Sequence, residues 1–527
     1  MPISAKRWAS AQAIDFTQIT RGVEKESLRI TPKGGLAQTP HPQSLGSALT
    51  HPHITTDFSE ALLEFITAPS TGIESTLEQL DNIHRFTYAN IDDEMLWVNS
   101  MPCVLNADAG IPVARYGSAH VARMKTIYRL GLGHRYGRPM QTIAGIHYNF
   151  SLPKDFWRQI QLEEGDSSNA QDFRTQGYFH LIRNFRRYFW LLLYLFGASP
   201  AICPTFVQGR RHKLTPLTEK GSTLHGRFAT SLRMGDLGYQ SSAQQGIRIS
   251  YNSLPDYLQA LCRAITQSHP DYESIGLKDK DGHYQQLNTG ILQIENEFYS
   301  TVRPKRSAKR GETALRALFD RGVEYVEVRC VDLDPFSPLG INAEQIRFLD
   351  TFLLYCALAD SPLADADENR RVHENQQRIV YSGRDPELSL TTRDGERPFA
   401  EWAGNLLDDL APIAELLDDH HGSGDYCLAL DRQKEKVSDA DLTPSAQVLQ
   451  ALVDNDQSFY QFGMEWALKH HRHFQAEALA EETQATFVQL AAQSIQDQRS
   501  IEEKDSGSFA DYLAQFYQQY QYCNSCD

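Results

Sequence analysis

Seven acidic or imidazole side chains, Glu24, Glu26, Asp57, Glu60, Glu64, His147 and Glu327, fall in segments that read as buried strands. In RGVEKESLRI at 21–30, alternation puts Glu24 and Glu26 on one face, about 7 Å apart, with Leu28 and Ile30 beside them. In GVEYVEVRCVD at 322–332, Glu327 and Arg329 share one face, with Val326 and Val328 on the other. Burying a lone carboxylate is costly, so several inward acids point to a cation between them. Carboxylates with one imidazole suit a hard ion, Mg²⁺ or Mn²⁺, and an arginine beside it suits a phosphoryl group.

Each residue also has a plainer reading. Glu24 and Glu26 read otherwise as an exposed edge-strand pair, against which Leu28 and Ile30 on the same face argue for burial. Glu327 and Arg329 read otherwise as a structural ion pair, and a histidine alone such as His147 is more often a satisfied core residue than a ligand. Glu60 and Glu64 share a face if 54–67 is extended, whereas Asp57 there could cap a helix. Glu295 and Glu297, on the expected strand at 292–306, could join the cluster or pair with Arg303 or Lys305. It is their joint occurrence that points to a metal centre.

The elements that must position these groups are expected to be strands in residues 20–150, with one clear helix at 72–92. A period-two strand at 140–152 would place Gln141, Gly145, His147 and Asn149 on a polar, cavity-lining face. Helices are expected at 171–197 and 343–360, and 361–397 reads as polar and irregular. Residues 399–522 read as helical and acidic. The fold class is α+β, with a mainly antiparallel sheet in 1–345 and a helical region, 346–527, packed on the same core.

Net charge of −16 over 527 residues argues against a general nucleic-acid or anionic-membrane binder. The apolar stretch at 189–202 is too short for a membrane span and reads as a core helix, and the N-terminal residues lack a signal-peptide pattern. A cytoplasmic monomer is expected. Of eight cysteines, Cys103, Cys203, Cys262, Cys330, Cys356 and Cys427 read as reduced core thiols, and Cys523 and Cys526 form a CxxC. The groups at 418–421 and at His470, His471 and His473 read as surface. The sequence has no GxxxxGK[ST] and no GxSxG. ATP, if bound, must therefore be held by metals and basic side chains, among them the RPKRSAKR run at 303–310.

Together and in order, RGVEKESLR, LGSALTHPHITTDFSEALLEFIT, MQTIAGIHYNFSLP, YLFGASPAIC, ATSLRMGDLGY, LQIENEFYSTVRPKR and EYVEVRCVDLDPFSPLG resemble the proteobacterial type of glutamate–cysteine ligase. The resemblance implies a funnel-like antiparallel sheet of glutamine-synthetase type. It implies that ATP and Mg²⁺ drive the joining of L-glutamate to L-cysteine, the first step of glutathione biosynthesis. It implies metal ligands Glu24, Glu26, Asp57, Glu64, His147 and Glu327. Arg329 would touch the transferred phosphoryl group or the glutamate γ-carboxylate, and Arg233 and Arg129 would touch substrate or phosphate. Tyr128, Leu132, Gln141, Tyr239 and Tyr299 would build the cysteine pocket. A related ligase using another small amine, a two-metal phosphohydrolase and a non-catalytic metal-binding protein are the competing readings.

Overall fold

The computed structural model describes residues 2–102, 105, 108–218, 221–238, 244 and 246–521. Among them seven strands form one sheet: β1 (Thr20–Ile30), β2 (Ile54–Thr56), β3 (Leu62–Ile66), β4 (Met95–Leu96), β5 (Ile146–Ser151), β6 (Val302–Lys305) and β7 (Tyr325–Val331). Their order is β2-β3-β1-β5-β7-β6, with β4 paired to the end of β1. Every pairing is antiparallel. The α+β expectation holds.

The helices used below are α1 (Ile73–Tyr88), α2 (His120–Tyr136), α3 (Ala170–Tyr188), α4 (Ala343–Leu358), α5 (Ala366–Ser382), α6 (Phe399–His421), α7 (Glu481–Lys504) and α8 (Phe509–Gln518). The back of the sheet is apolar. Val23, Ile146, Tyr148, Phe150, Val326 and Val328 are fully buried there, each side chain contributing about 1.5–3 kcal/mol of burial. Helices α3 and α4 pack together, and α3 also meets β6 and β7. A capping box starts α4: the Asn342 side chain accepts from the Gln345 amide, and the Gln345 side chain accepts from the Asn342 amide. From α4, Asp350 reaches the sheet, accepting from Arg21 at 2.9 Å and from the Tyr148 hydroxyl at 2.6 Å.

The largest apolar cluster runs from Ala11 to Tyr520, so the C-terminal helices share the core of the sheet region. The stretch at 189–202 is a buried helix, Trp190–Phe196, followed by a short strand at Ala201–Ile202. No helix among the described residues is long and apolar enough to cross a membrane.

Four expectations about local structure need correction. Strand β5 begins at Ile146, because residues Pro139–Thr142 form a 3-10 turn with proline at its first position; Gln141 therefore does not share a strand face with His147. The segment at 292–306 is a 3-10 turn at Glu295–Glu297 and becomes a strand only at Val302. Helix α2 was not expected, since its apolar residues do not gather on one stripe. Residues 361–397 contain α5 and a hairpin, Ser389–Thr392 with Gly395–Pro398. The first three turns of α5 are polar almost throughout, which hides the helical period.

Three smaller corrections concern polar groups and thiols. His470 is buried and bonds the Pro335 carbonyl, and buried Asp418 accepts from the amides of Tyr426 and Cys427. Neither is a surface residue. Cys262 is disulfide-bonded, while Cys203, Cys330, Cys356 and Cys427 are free. Cys103, Cys523 and Cys526 lie outside the described residues, as does Tyr239.

Candidate active site

Cross-strand register builds the polar face. Glu24 lies directly opposite His147, Glu26 opposite Glu64, and Glu327 opposite Asn149. Directly opposed residues share a face, so β3, β1, β5 and β7 bring these groups together from four separate strands. One oxygen each from Glu24 and Glu327 and one nitrogen of His147 all lie within 4.8 Å of one another. His147 Nδ1 is 3.1 Å from Glu24 Oε2, and its Nε2 is 3.7 Å from Glu26 Oε1. Asn149 donates to Glu24 Oε1 at 2.8 Å, and the Gly145 amide donates to Glu26 Oε2 at 2.9 Å.

Asp57 does not cap a helix; it lies in the β2–β3 turn, where its charge raises the Glu26 and Glu64 carboxyls. Its carbonyl accepts from Arg129 Nε. Glu60, three residues on, points elsewhere: its carboxylate accepts from the amides of His41 and Arg115, both at 2.6 Å, and so holds loops rather than joining the cluster. Glu295 and Glu297 are also outside it. Glu295 accepts from the Leu315 amide, and Glu297 pairs with Arg135 at 2.9 Å.

The electrostatics divide the carboxylates in two. Burial alone would raise the Glu327 carboxyl, but Lys305 at 2.9 Å and Arg329 at 3.1 Å overcome it and hold it well below the ordinary range. Glu24 is likewise lowered, burial being offset by its bond to His147. Burial, reinforced by Asp57, pushes Glu26 up to about 8. Burial, with Glu24, Asp57 and Glu26 adding to it, lifts Glu64 well above its usual value. Burial and the neighbouring Arg329 lower His147, leaving a neutral imidazole, the form that binds metals.

Two arginines stand beside the acids. Arg329 Nη1 lies 3.1 Å from Glu327 Oε2 and 3.3 Å from His147 Nδ1. Arg233 comes from a 3-10 turn, Leu232–Met234, and is fully buried. Its guanidinium donates to the Arg329 carbonyl at 2.9 Å and to the Val331 carbonyl at 3.4 Å, where the β5–β7 register shifts. The guanidinium lies directly over Gly145: a Cβ there would collide with Arg233 Nη2 and Cζ. Asp332 stands 3.8 Å from Arg233 Nη1.

A cavity of about 990 Å³ opens beside these arginines. Arg233, Arg329, Met234 and Tyr299 line it, together with Arg186, Tyr251, Asn369 and His373. Gln141 Nε2 donates to the Tyr299 hydroxyl at 2.9 Å, so these two meet although 139–142 is not a strand. Tyr128, Arg129 and Leu132 come from α2. The Arg129 guanidinium lies 4.6 Å over the Tyr116 ring, Tyr128 is half-buried, and Leu132 is buried in the core.

The sequence matches the glutamate–cysteine ligase family over residues 7–379. It is 52% identical over 519 residues to the glutamate–cysteine ligase of Saccharophagus degradans, covering 98% of this chain and 97% of the relative. The chain belongs to the glutamate–cysteine ligase family. The ligase of Alcanivorax borkumensis is 52% identical over 509 residues, covering 96% of this chain and 97% of its own. Among solved structures, the glutamate–cysteine ligase of Francisella tularensis in complex with AMP superposes with a TM-score of 0.90 at 37% identity, covering 96% and 98% of the two chains. A bifunctional glutathione synthetase from Pasteurella multocida gives 0.73 at 26% identity, over 92% of this chain and 57% of that one.

Reading the ligase sequence missed Lys305 as a direct partner of Glu327, Asn149 as a partner of Glu24, and Gly145 as the floor beneath Arg233. Asn149 was legible from period two, being two residues from His147. The close approach over Gly145 has no local signature.

Proposed function

We propose that this ligase activates the γ-carboxylate of L-glutamate with ATP on the polar face of the sheet and passes it to the amine of L-cysteine. The observation that carries this is the meeting of Glu24, His147 and Glu327 within 4.8 Å, with Arg329 against two of them. Oxygen donors with a single neutral imidazole fit Mg²⁺ or Mn²⁺ better than a softer ion. Glu24, His147 and Glu327 would hold one such ion, and Glu26, Asp57 and Glu64 another. The raised carboxyls of Glu26 and Glu64 support the second site, because each would be relieved by a cation. Bound ions would neutralise the triphosphate and the glutamate as these two anions approach.

The rest is the work of side chains. A γ-carboxylate oxygen of glutamate attacks the γ-phosphorus of ATP, ADP leaves, and a γ-glutamyl phosphate forms. Arg329 faces the charge that develops on the phosphoryl oxygens. Arg233, clamped over Gly145, presents its guanidinium to a substrate carboxylate. The cysteine nitrogen then attacks the acyl carbon, phosphate leaves, and the nitrogen gives up a proton to yield γ-glutamylcysteine. Tyr128, Leu132, Gln141 and Tyr299 line the acceptor side. Substitution Glu327→Gln should lower glutamate- and cysteine-dependent ADP formation by about 10²-fold or more and weaken Mn²⁺ binding measured by calorimetry. Wild-type turnover in that variant would refute the site. A screen of small amines in place of cysteine tests the acceptor.

A further inference from the structure

Glu297 is fully buried, is not among the residues lining the cavity, and touches none of the cluster acids, yet it is the hub of a hydrogen-bonded network. Its Oε1 accepts from Arg135 Nη1 at 2.9 Å and from the Tyr136 hydroxyl at 2.6 Å, while its Oε2 accepts from the Gln293 amide at 2.6 Å. Arg135 and Glu297 both have fully buried side chains. Arg135 also donates to Gln286 Oε1 at 3.0 Å and to the Asn288 carbonyl at 2.8 Å, and its guanidinium lies 4.1 Å over the Tyr272 ring.

Two paths leave this hub, each toward a tyrosine of the acceptor side. On one, Gln293 Nε2 donates to the Tyr128 carbonyl at 3.1 Å, and its amide packs where any side chain on Gly131 would collide with it. On the other, the Glu297 carbonyl accepts from Gln244 Nε2 at 2.9 Å, and Gln244 Oε1 accepts from the Tyr299 amide at 3.1 Å. The Tyr136 ring stands edge-on to that of Tyr299, 6.0 Å between centroids. Helix α2 and the segment 286–299 are thus joined through one carboxylate, with Tyr128 on one side of the joint and Tyr299 on the other.

We propose that Glu297, through its ion pair with Arg135, is a positioning residue that fixes the distance between Tyr128 and Tyr299 and thereby the fit of the acceptor amino acid. The proposal rests on the reading that these tyrosines line the acceptor site. A buried carboxylate that accepts three donors resists displacement, since moving it leaves buried donors without acceptors. A pocket held in this way discriminates by shape, and loosening it should cost acceptor affinity before it costs phosphoryl transfer.

The test is steady-state kinetics of the full chain. In Glu297→Gln the KM for L-cysteine should rise about tenfold while the KM values for ATP and L-glutamate stay within about twofold. The preference for cysteine over L-2-aminobutyrate, which carries a methyl in place of the thiol, should fall. Glu297→Asp should restore part of both losses. Tyr136→Phe, which removes one hydroxyl and leaves the ion pair, should move the cysteine KM in the same direction by less, and it decides the matter if Glu297→Gln does not fold. An unchanged cysteine KM and preference in these variants, or equal rises for all three substrates, would overturn the proposal. Tyr299→Phe separates the two levels. If it leaves the cysteine KM unchanged, the acceptor reading itself fails; if it raises that KM while the Glu297 and Tyr136 variants do not, only the role of Glu297 fails.

Discussion

Glu26, buried, and Glu64, half-buried, face each other directly across β1 and β3, and both carboxyls hold their protons more tightly than in water. Such a pair costs stability when ionised, and the cost can be read from pH. The Glu26 carboxyl, pushed up to about 8, binds a proton in the folded chain over a range where the unfolded chain, near 4.5, has released it. Folding stability without metal therefore falls as pH rises from about 4.5 to about 8 on account of this group. Glu26→Gln lacks that dependence. In chelator, the melting temperature of the variant should gain on the wild type as pH goes from about 5.5 to about 8, by up to roughly 2–5 kcal/mol in stability. Added Mg²⁺ should reverse the order at the higher pH. Parallel pH curves for the two proteins would show that Glu26 is not raised.

Gly145→Ala should separate activity from folding. The new methyl meets the far end of the Arg233 side chain, which can move away, so overpacking should cost only about 1–3 kcal/mol. The displaced guanidinium can no longer hold the Arg329 and Val331 carbonyls and face the cavity together. Turnover should fall by about 10²-fold with a cooperative melt retained. Near wild-type turnover would remove Arg233 from the site.

Arg329→Lys should fail despite keeping the charge. Its Nη1 alone meets both Glu327 and His147, which leaves the other guanidinium donors in a fixed plane for the phosphoryl oxygens, and an ammonium on a flexible stem has no such plane. ADP formation is expected to drop by about 10²–10³-fold, while Mn²⁺ affinity changes by less than in Glu327→Gln. Comparable turnover in the lysine variant would mean that only net charge matters there.

The parts of the site that were legible in the sequence are those governed by period two. Glu24, Glu26, His147, Glu327 and Arg329 sit on strands whose alternation is visible residue by residue, and cross-strand register then brings them together. Gln141 meets the Tyr299 hydroxyl without the strand face expected for it, because Pro139 turns the chain before β5 begins. Glu297 looked like a strand acid but belongs to a turn, and its partner Arg135 lies on α2, whose mixed face gave no helical signal. Arg233 could be named through resemblance, but its position depends on Gly145 and the β5–β7 register shift, contacts between residues far apart in sequence. Helix α5, which lines the cavity, is hidden by its polar composition.

Asp350 grips two neighbouring strands with one carboxylate, taking Arg21 from β1 and Tyr148 from β5. A slip of two residues between those strands would keep every backbone bond of the ladder and every side chain on its proper face. It would also put Glu24 opposite Asn149 or Gly145 instead of His147. Such a slip would carry Arg21 away from Asp350 and strand a charge in the interior, at a cost of about 3–5 kcal/mol, or carry Tyr148 away and leave the other Asp350 oxygen without its donor. The buried triad on the back of the sheet thus acts as a proofreader for the front, rejecting pairings that hydrophobic patterning alone would accept.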